Sequence, residues 1–241
     1  MSGSTPGSQL FRVSDRPDRV MSHMAEFAET AGSLDFPCVF APMALRKDEL
    51  LFGVGDVAYD GWGVAVTLMD LAAEAIWEDP DQVVVLWLDG IGSSSLEEDH
   101  AAFRKLLLVL LQAGGEWPAE APLDPEDPKW NFWYRGIDFF INVSTRHHLL
   151  RRSRNLGHPF TLVVQSRASF DRLPVQATAA RRQIRGRIAE YDAVEVSPHL
   201  GTHGAAPELP QYFLGDRNGC PYTAIAENDI AQRTVAAQEQ V

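Results

Sequence analysis

The spacing of apolar and polar residues predicts three helices in the first half of the chain. They span about 22–30, 62–77 and 97–111, and in each the apolar residues recur at the three-to-four-residue interval of one helix face. Ser22 stands where a capping residue is expected, and Pro80 prevents the second helix from continuing. These segments therefore indicate amphipathic helices that pack on a common core.

Runs that are almost wholly apolar or rich in β-branched residues predict strands at 82–88, 136–143 and 160–165. The proline-interrupted segment at 35–45 predicts a buried extended stretch, and 177–191 predicts a further helix with one buried and one basic side. Strands and helices do not alternate strictly. The pattern therefore favours an α+β fold, with a mixed, largely antiparallel sheet packed with helices.

The sequence predicts one domain preceded by a short N-terminal arm. Residues 1–20 are rich in Gly, Ser, Pro and Asp and have no apolar period, which is typical of a flexible or loosely docked segment. The chain has 241 residues and 45% of them are hydrophobic. That length and composition suit a single large core, so we expect residues 21–241 to form one domain.

Charge and composition narrow the classes of function. The formal net charge is -12 and the sequence pI is near 5.0, which disfavours nucleic acid and anionic membranes as partners and suits small cationic ligands. No apolar run reaches the roughly 20 residues of a membrane span, and the start lacks the apolar centre of a secretory signal. Cys38 and Cys220 are too few for a disulfide framework. We therefore expect a cytoplasmic protein.

Two adjacent histidines lie in a dense basic run after a predicted strand. The members of this run are Arg146, His147, His148, Arg151, Arg152 and Arg154. Such a run is most often a solvated turn or an anion-binding loop. The alternative is a heme site, because imidazole binds heme iron axially and arginines pair with the propionates. Successive side chains on a strand point to opposite faces, so only one of the two histidines could be the ligand.

Other candidate sites are weaker. His199 and His203 have the spacing of a helical zinc pair, but the proline and glycines around them predict a loop. Cys38 in its apolar context indicates a buried structural thiol, with a thiolate ligand to heme as the alternative. The chain contains no phosphate-binding loop and no GxSxG nucleophile motif.

Aromatic residues crowd around a proline-rich passage in the middle of the chain. They are Trp117, Trp130, Phe132, Trp133 and Tyr134. A cluster of this density indicates the edge of a core more often than a ligand pocket. As a pocket, its ring faces would suit a flat porphyrin or a guanidinium.

Several segments, taken in order, resemble the YqcI/YcgG family, and they cover most of the chain after about residue 35. They are FPCVFA (36–41), LLQAGGEWP (110–118), DPEDPKWNFWYRGIDFFINVS (124–144), RRSRNLG (151–157), VVQSRASFD (163–171), IRGRIAEYD (184–192), LGTHG (200–204) and PQYFL (210–214). Members with a known activity bind heme and oxidise a guanidino nitrogen. The resemblance therefore implies a heme-dependent N-hydroxylase, a monooxygenase acting on arginine or a related guanidino compound.

The resemblance also implies the cofactor and partners. Heme b is the expected cofactor and dioxygen or peroxide the oxidant, while an electron donor and a homodimer are left open. The alternative function is a heme-binding sensor or carrier without turnover. The chain departs from the family pattern at Glu208-Leu209-Pro210 and at His203, which leaves the identity of the substrate open.

The family's histidine falls on His148, which the resemblance implies as the axial iron ligand and catalytic residue. Arg152 and Arg154 would pair with the propionates or hold the carboxylate of an amino-acid substrate. Cys38 is the second choice for an iron ligand or for lining the pocket, and Trp130 is expected to contact the cofactor.

The residues that would bind the substrate are predicted only from their position in the sequence. A carboxylate is needed to hold a guanidinium, which is protonated at neutral pH. Glu116 and Asp138 flank the aromatic cluster, and Trp117 belongs to it. These three residues are therefore the candidates for binding the substrate.

Overall fold

A computed structural model of the chain describes residues 9–15, 17–18, 20–157, 159–171, 176–201, 204–219 and 225–231. The strands are β1 (Leu50–Asp56), β2 (Val83–Asp89), β3 (Phe132–Tyr134), β4 (Ile137–Ser144) and β5 (Phe160–Ser166). The α-helices are α1 (Met21–Ala31), α2 (Ala41–Arg46), α3 (Val57–Asp60), α4 (Gly63–Glu78), α5 (Leu96–Ala113), α6 (Arg167–Asp171), α7 (Gln176–Tyr191) and α8 (Leu209–Tyr212), and short 3-10 turns occupy Val13–Asp15 and Arg152–Arg154.

The five strands form one mixed sheet in the order β1-β2-β5-β4-β3. β1 and β2 are parallel, and the pairings of β2 with β5, of β5 with β4 and of β4 with β3 are antiparallel. Three of the four pairings are thus antiparallel. The predicted α+β class, with a largely antiparallel sheet in a single domain, is confirmed.

Side chains that alternate along β2 face two separate apolar layers. Val84, Leu86 and Leu88 pack with α4 and α5 in the larger core. Val85 and Trp87 pack instead with α1 and with Phe52 of β1 on the other face of the sheet. Because both faces are covered, β2 is apolar from Val83 to Leu88, as its sequence predicts.

Two glycines let α4 lie directly on β1. An added Cβ on Gly55 would come 2.5 Å from Val64 Cγ2, and one on Gly53 would come 3.0 Å from Leu68 Cδ2. The face of β1 toward α4 therefore carries no bulky side chain at these two positions. This explains why the apolar pattern did not predict β1, since glycine weakens the signal of a strand.

The prediction for the segment at 35–45 was wrong. The segment was expected to be extended, but α2 begins at Ala41 with Pro42 in its first turn, and turns precede it. Proline fits the first turn of a helix because the backbone N–H that it lacks has no partner there. Ser22 is likewise not a cap, because α1 begins after Val20 without a side-chain capping bond.

The remaining predicted helices and strands are confirmed within a few residues, as α1, α4, α5, α7, β2, β4 and β5. Of the predicted arm, Phe11 exchanges two backbone hydrogen bonds with Phe52 of β1, each 2.8 Å long. Residues 1–8, His203 and Cys220 lie outside the described residues. None of the described helices is both long enough and apolar enough to cross a membrane.

Candidate functional site

A cavity of about 410 Å³ opens at the end of the sheet where β2 and β4 finish and β5 begins. Leu88 of β2 pairs with Phe160 of β5, and Ser144 of β4 pairs with Thr161, so the ends of β2 and β4 flank the start of β5. The cavity lies at this end of the sheet, between the first turn of α1 and the loop that leads into α5. Its walls are formed by Ser22, His23, Glu26, Leu88, Asp89, Gly90, Ile91, Gly92, Ser93, Asp99, Thr145, Arg146, His147, Pro159 and Phe160.

One wall carries an imidazole held by a buried carboxylate. His147 Nδ1 lies 2.7 Å from Oδ2 of Asp99, whose side chain is only 2% exposed. The Ser93 hydroxyl donates to the other oxygen of Asp99. Asp99 lies in the first turn of α5, where the helix dipole and the free backbone N–H groups favour a negative charge. The carboxylate is therefore stabilised by two donors and by its place on the helix.

The opposite nitrogen of His147 is an acceptor. A carboxylate partner requires the proton on Nδ1, which leaves the lone pair on Nε2 in the neutral ring. Arg146 Nε donates to this Nε2 over 3.3 Å, and the Arg146 side chain is exposed. An exposed and long hydrogen bond is easily replaced by a ligand.

A second imidazole–carboxylate pair lies on the cavity wall. His23 Nε2 is 3.0 Å and 3.1 Å from the two carboxylate oxygens of Asp89, the last residue of β2. The His23 ring packs on Trp87, with ring centroids 5.3 Å apart. The Asp89 side chain is 37% exposed, so its remaining lone pairs are open to a ligand.

The loop between β2 and α5 depends on glycine. Gly90 and Gly92 have φ values of 73° and 71°, in the left-handed region that favours glycine. A Cβ on Gly90 would also overlap Asp56 Oδ1 and Ala58. These turns bring Ser93 back to Asp99. Ser95 then caps α5, because its hydroxyl accepts from the Glu98 backbone N–H.

His148, the predicted iron ligand, lies in the protein interior and does not line the cavity. Its residue exposure is 0%, and Nε2 lies 2.8 Å from the carbonyl oxygen of Leu214. If Nε2 donates this bond, Nδ1 can accept from the Thr145 backbone N–H at 3.3 Å. Burial of the ring lowers the pKa of His148 to about 4. Iron binding by this residue stays a prediction, and it requires at least one of these bonds to break.

Arg152 and Arg154, the predicted partners of the heme propionates, contact other groups of the protein. Arg154 is buried, and it donates to Asn142 Oδ1 at 2.7 Å and to the Gln211 carbonyl oxygen at 2.9 Å. Burial lowers the pKa of Arg154 to about 9. Arg152 is exposed and lies over the Tyr191 ring at 5.1 Å. Neither arginine lines the cavity, and Arg154 instead fastens the segment around 211 to β4.

The other predicted site residues are dispersed. Trp130 is fully buried in the larger core and packs on Trp117, with ring centroids 6.0 Å apart. Glu116 is exposed, and Asp138 accepts a hydrogen bond from Ser166 at 3.0 Å. Cys38 is half-buried and packs against the smaller core. None of these residues lines the cavity, and the aromatic cluster belongs mainly to the core.

The sequence analysis missed Asp99, Asp89 and His23. Two signals were present: Asp89 closes an apolar strand, and Asp99 follows the capping residue Ser95 by four positions. Neither signal shows that the carboxylates face histidines, because each pair is more than 40 residues apart in the chain. Among the described residues, no group of three or more His, Cys, Asp or Glu side chains is arranged to hold a metal ion.

Comparison with known proteins gives matches over most of the chain. The pattern that defines the YqcI/YcgG family matches residues 27–223. A Streptomyces lavendulae protein with the provisional name N(omega)-hydroxy-L-arginine synthase DcsA is 33% identical over 226 residues, which cover 83% of this chain and 84% of that protein. Bacillus subtilis YcgG is 39% identical over 218 residues, covering 81% of this chain and 85% of YcgG, and its name states no function. No solved structure gives a significant match.

Proposed function

Because the chain belongs to the YqcI/YcgG family, we propose that it is an oxygenase that hydroxylates a guanidino nitrogen of arginine or a related compound. The observation that carries this proposal is the 33% identity to DcsA, which extends over 83% of the chain and 84% of the relative. The name of DcsA gives the product, N(omega)-hydroxy-L-arginine, and arginine is the substrate that we infer from this product. In this proposal the reaction takes place in the cavity at the ends of β2 and β4.

Heme b is the cofactor in this proposal, and the chemistry of the cavity residues fits it. His147 presents an imidazole Nε2 held from behind by a carboxylate, which is the usual arrangement of a metal-binding histidine. Arg146 offers a cation for a propionate, and Leu88, Ile91 and Phe160 supply apolar contacts. The cavity volume of about 410 Å³ falls in the range of about 300–1,000 Å³ that ligand sites occupy. When bound, heme would supply the activation of the oxidant.

The carboxylates of the cavity suit a cationic substrate. A free guanidinium has a pKa above about 12, so it enters the site protonated. Asp89 has lone pairs beyond those that contact His23, and Glu26 lies on the same wall. A carboxylate can hold a guanidinium through two parallel hydrogen bonds, and this would orient one nitrogen for reaction.

The reaction balances with either oxidant. With hydrogen peroxide, one guanidino N–H becomes N–OH and water is released. With dioxygen, an external donor must also supply two electrons and two protons, which leave in the water formed. The chain's task in both cases is to bind, orient and exclude bulk water.

The direct test is product analysis with the heme-supplied protein. Arginine, incubated with either peroxide or dioxygen and a reductant, should gain the mass of one oxygen atom. Citrulline is the matched control, because its neutral urea group replaces the guanidinium, and it should remain unchanged. A protein that binds heme and changes its spectrum with arginine but forms no product would be a sensor or carrier, and the proposed activity would be wrong.

A further inference from the structure

We infer that His147 Nε2 is the atom through which this chain binds the heme iron, and that Asp99 is the residue that positions it. This inference rests on the proposed function only in taking heme as the ligand. The family resemblance implied His148 as the iron ligand. In this inference His148 instead stabilises the protein interior. Three observations carry it: the tautomer of His147, the burial of Asp99 and the surroundings of the neighbouring histidines.

The tautomer follows from the hydrogen bonds. Asp99 Oδ2 can only accept from Nδ1 of His147, at 2.7 Å, so the ring proton lies on Nδ1. Arg146 Nε donates toward Nε2 at 3.3 Å, which requires a lone pair on that nitrogen. A metal needs this lone pair. The ring is thus prepared for coordination before a ligand arrives.

The burial of Asp99 fixes this arrangement. Its side chain is 2% exposed and its second oxygen accepts from the Ser93 hydroxyl, so rotation away from His147 would leave a buried carboxylate with lost partners. Carboxylate partners of this kind typically change metal affinity by about 10–100-fold.

Two nearby histidines have different surroundings from His147. His148 Nε2 contacts the Leu214 carbonyl oxygen at 2.8 Å, inside the protein and away from the cavity wall. His23 lines the cavity and also has a carboxylate at one ring nitrogen, since its Nε2 lies 3.0 Å from Asp89 Oδ1 and its Nδ1 lies 3.3 Å from the Ser22 hydroxyl. The Asp89 side chain is 37% exposed, however, whereas that of Asp99 is 2% exposed. His147 is therefore the cavity histidine whose ring is held by a buried carboxylate.

The adjacent histidines provide a matched pair of variants. Full-length protein is loaded with heme, and its Soret spectrum and heme affinity are compared for wild type, His147→Ala and His148→Gln. We expect His147→Ala to lose the wild-type spectrum and His148→Gln to keep it. Because His148→Gln disturbs the interior, circular dichroism must show that each variant is folded. If His148→Gln does not fold, restoration of the wild-type spectrum in His147→Gly by added imidazole decides the assignment.

Asp99 is tested by a measurement that a purely structural role would not change. Asp99→Asn should weaken heme binding by about 10–100-fold and make the iron reduction potential more positive, because the imidazole loses its anionic partner. Asp99→Glu should restore part of both properties. Equal potentials in folded, heme-loaded Asp99→Asn and wild type would overturn the positioning role.

The failures of the two claims are distinguishable. A wild-type spectrum retained in His147→Ala overturns the ligand assignment, and a loss confined to Cys38→Ser would assign the thiolate instead. Either result leaves the proposed function intact if wild type converts arginine. If wild type takes up no heme, the ligand assignment is wrong whatever its activity. If it binds heme through His147 but forms no product, only the proposed activity fails.

Discussion

The two adjacent histidines after β4 illustrate how neighbours in sequence reach different surroundings. His147 borders the cavity and contacts Asp99, whereas His148 is buried, 2.8 Å from the Leu214 carbonyl oxygen. The sequence predicted that only one of the two could face a ligand, from the alternation of side chains on a strand, but β4 ends at Ser144 and both histidines lie beyond its end. The sequence could not predict which, because Asp99 and Leu214 lie 48 and 66 residues from their partners.

His148 should make the stability of the heme-free protein depend on pH. Its pKa is about 4 in the fold, lowered by burial and by the nearby Arg154 cation, against about 6.5 in the unfolded chain. Above pH 6.5 the ring is neutral in both states and its stabilisation is complete. As the pH falls from about 6.5 through about 4, the unfolded chain binds the proton first, which costs about 3 kcal/mol of unfolding free energy.

Urea unfolding at pH 7 and pH 5 measures the part of this loss that falls above pH 5, about 2 kcal/mol. His148→Gln has no titrating ring, so it should be less stable than wild type at pH 7 but should lose less stability on acidification. If wild type and His148→Gln lose the same free energy between these two pH values, the buried neutral histidine is not the cause.

At the scale of the elements, strong and uninterrupted patterns predicted structure well. β2, β4 and β5 and the helices α1, α4, α5 and α7 were predicted within a few residues. β1 was missed because Gly53 and Gly55 replace apolar residues on one of its faces, and α2 was missed because Pro42 suggested extended chain. The strand β1 depends on its close contact with α4, and α2 tolerates Pro42 because it lies in the first turn. The local sequence pattern shows neither of these facts.

The contact of α4 with β1 can be tested at Gly55. Gly55→Ala should lower the free energy of unfolding by about 1–3 kcal/mol, because its Cβ would lie 2.5 Å from Val64 Cγ2. Val64→Ala in the same protein should remove the overlap and recover part of that loss. The two changes should therefore be non-additive in a double-mutant cycle of denaturant unfolding.

Gly63→Ala is the matched control for this prediction. An added Cβ there meets nothing within 4 Å, and Gly63 begins α4, so alanine should leave the stability unchanged or raise it by up to about 1 kcal/mol. Additive effects of Gly55→Ala and Val64→Ala would contradict the proposed close packing of helix and strand.

For the whole molecule, the sequence predicted the class of fold and the family but not where its cavity lies. The cavity is formed by segments from α1, the β2–α5 loop and the ends of β4 and β5, which lie far apart along the chain. The predicted site residues instead followed the aromatic cluster and the arginines, which the fold uses largely for packing and for fastening the segment around 211–218. The burial of the aromatic residues and arginines depends on contacts between distant segments, so the sequence did not predict it.

We propose that this protein transfers one oxygen atom to a guanidino nitrogen. The most direct measurement supplies the heme-loaded protein with arginine and isotopically heavy peroxide, or heavy dioxygen with a reductant, and follows the product by mass spectrometry. The expected product is N-hydroxyarginine that carries one heavy oxygen atom on its guanidino group. Arginine recovered without any heavy oxygen, from protein shown to hold heme, would contradict the proposal.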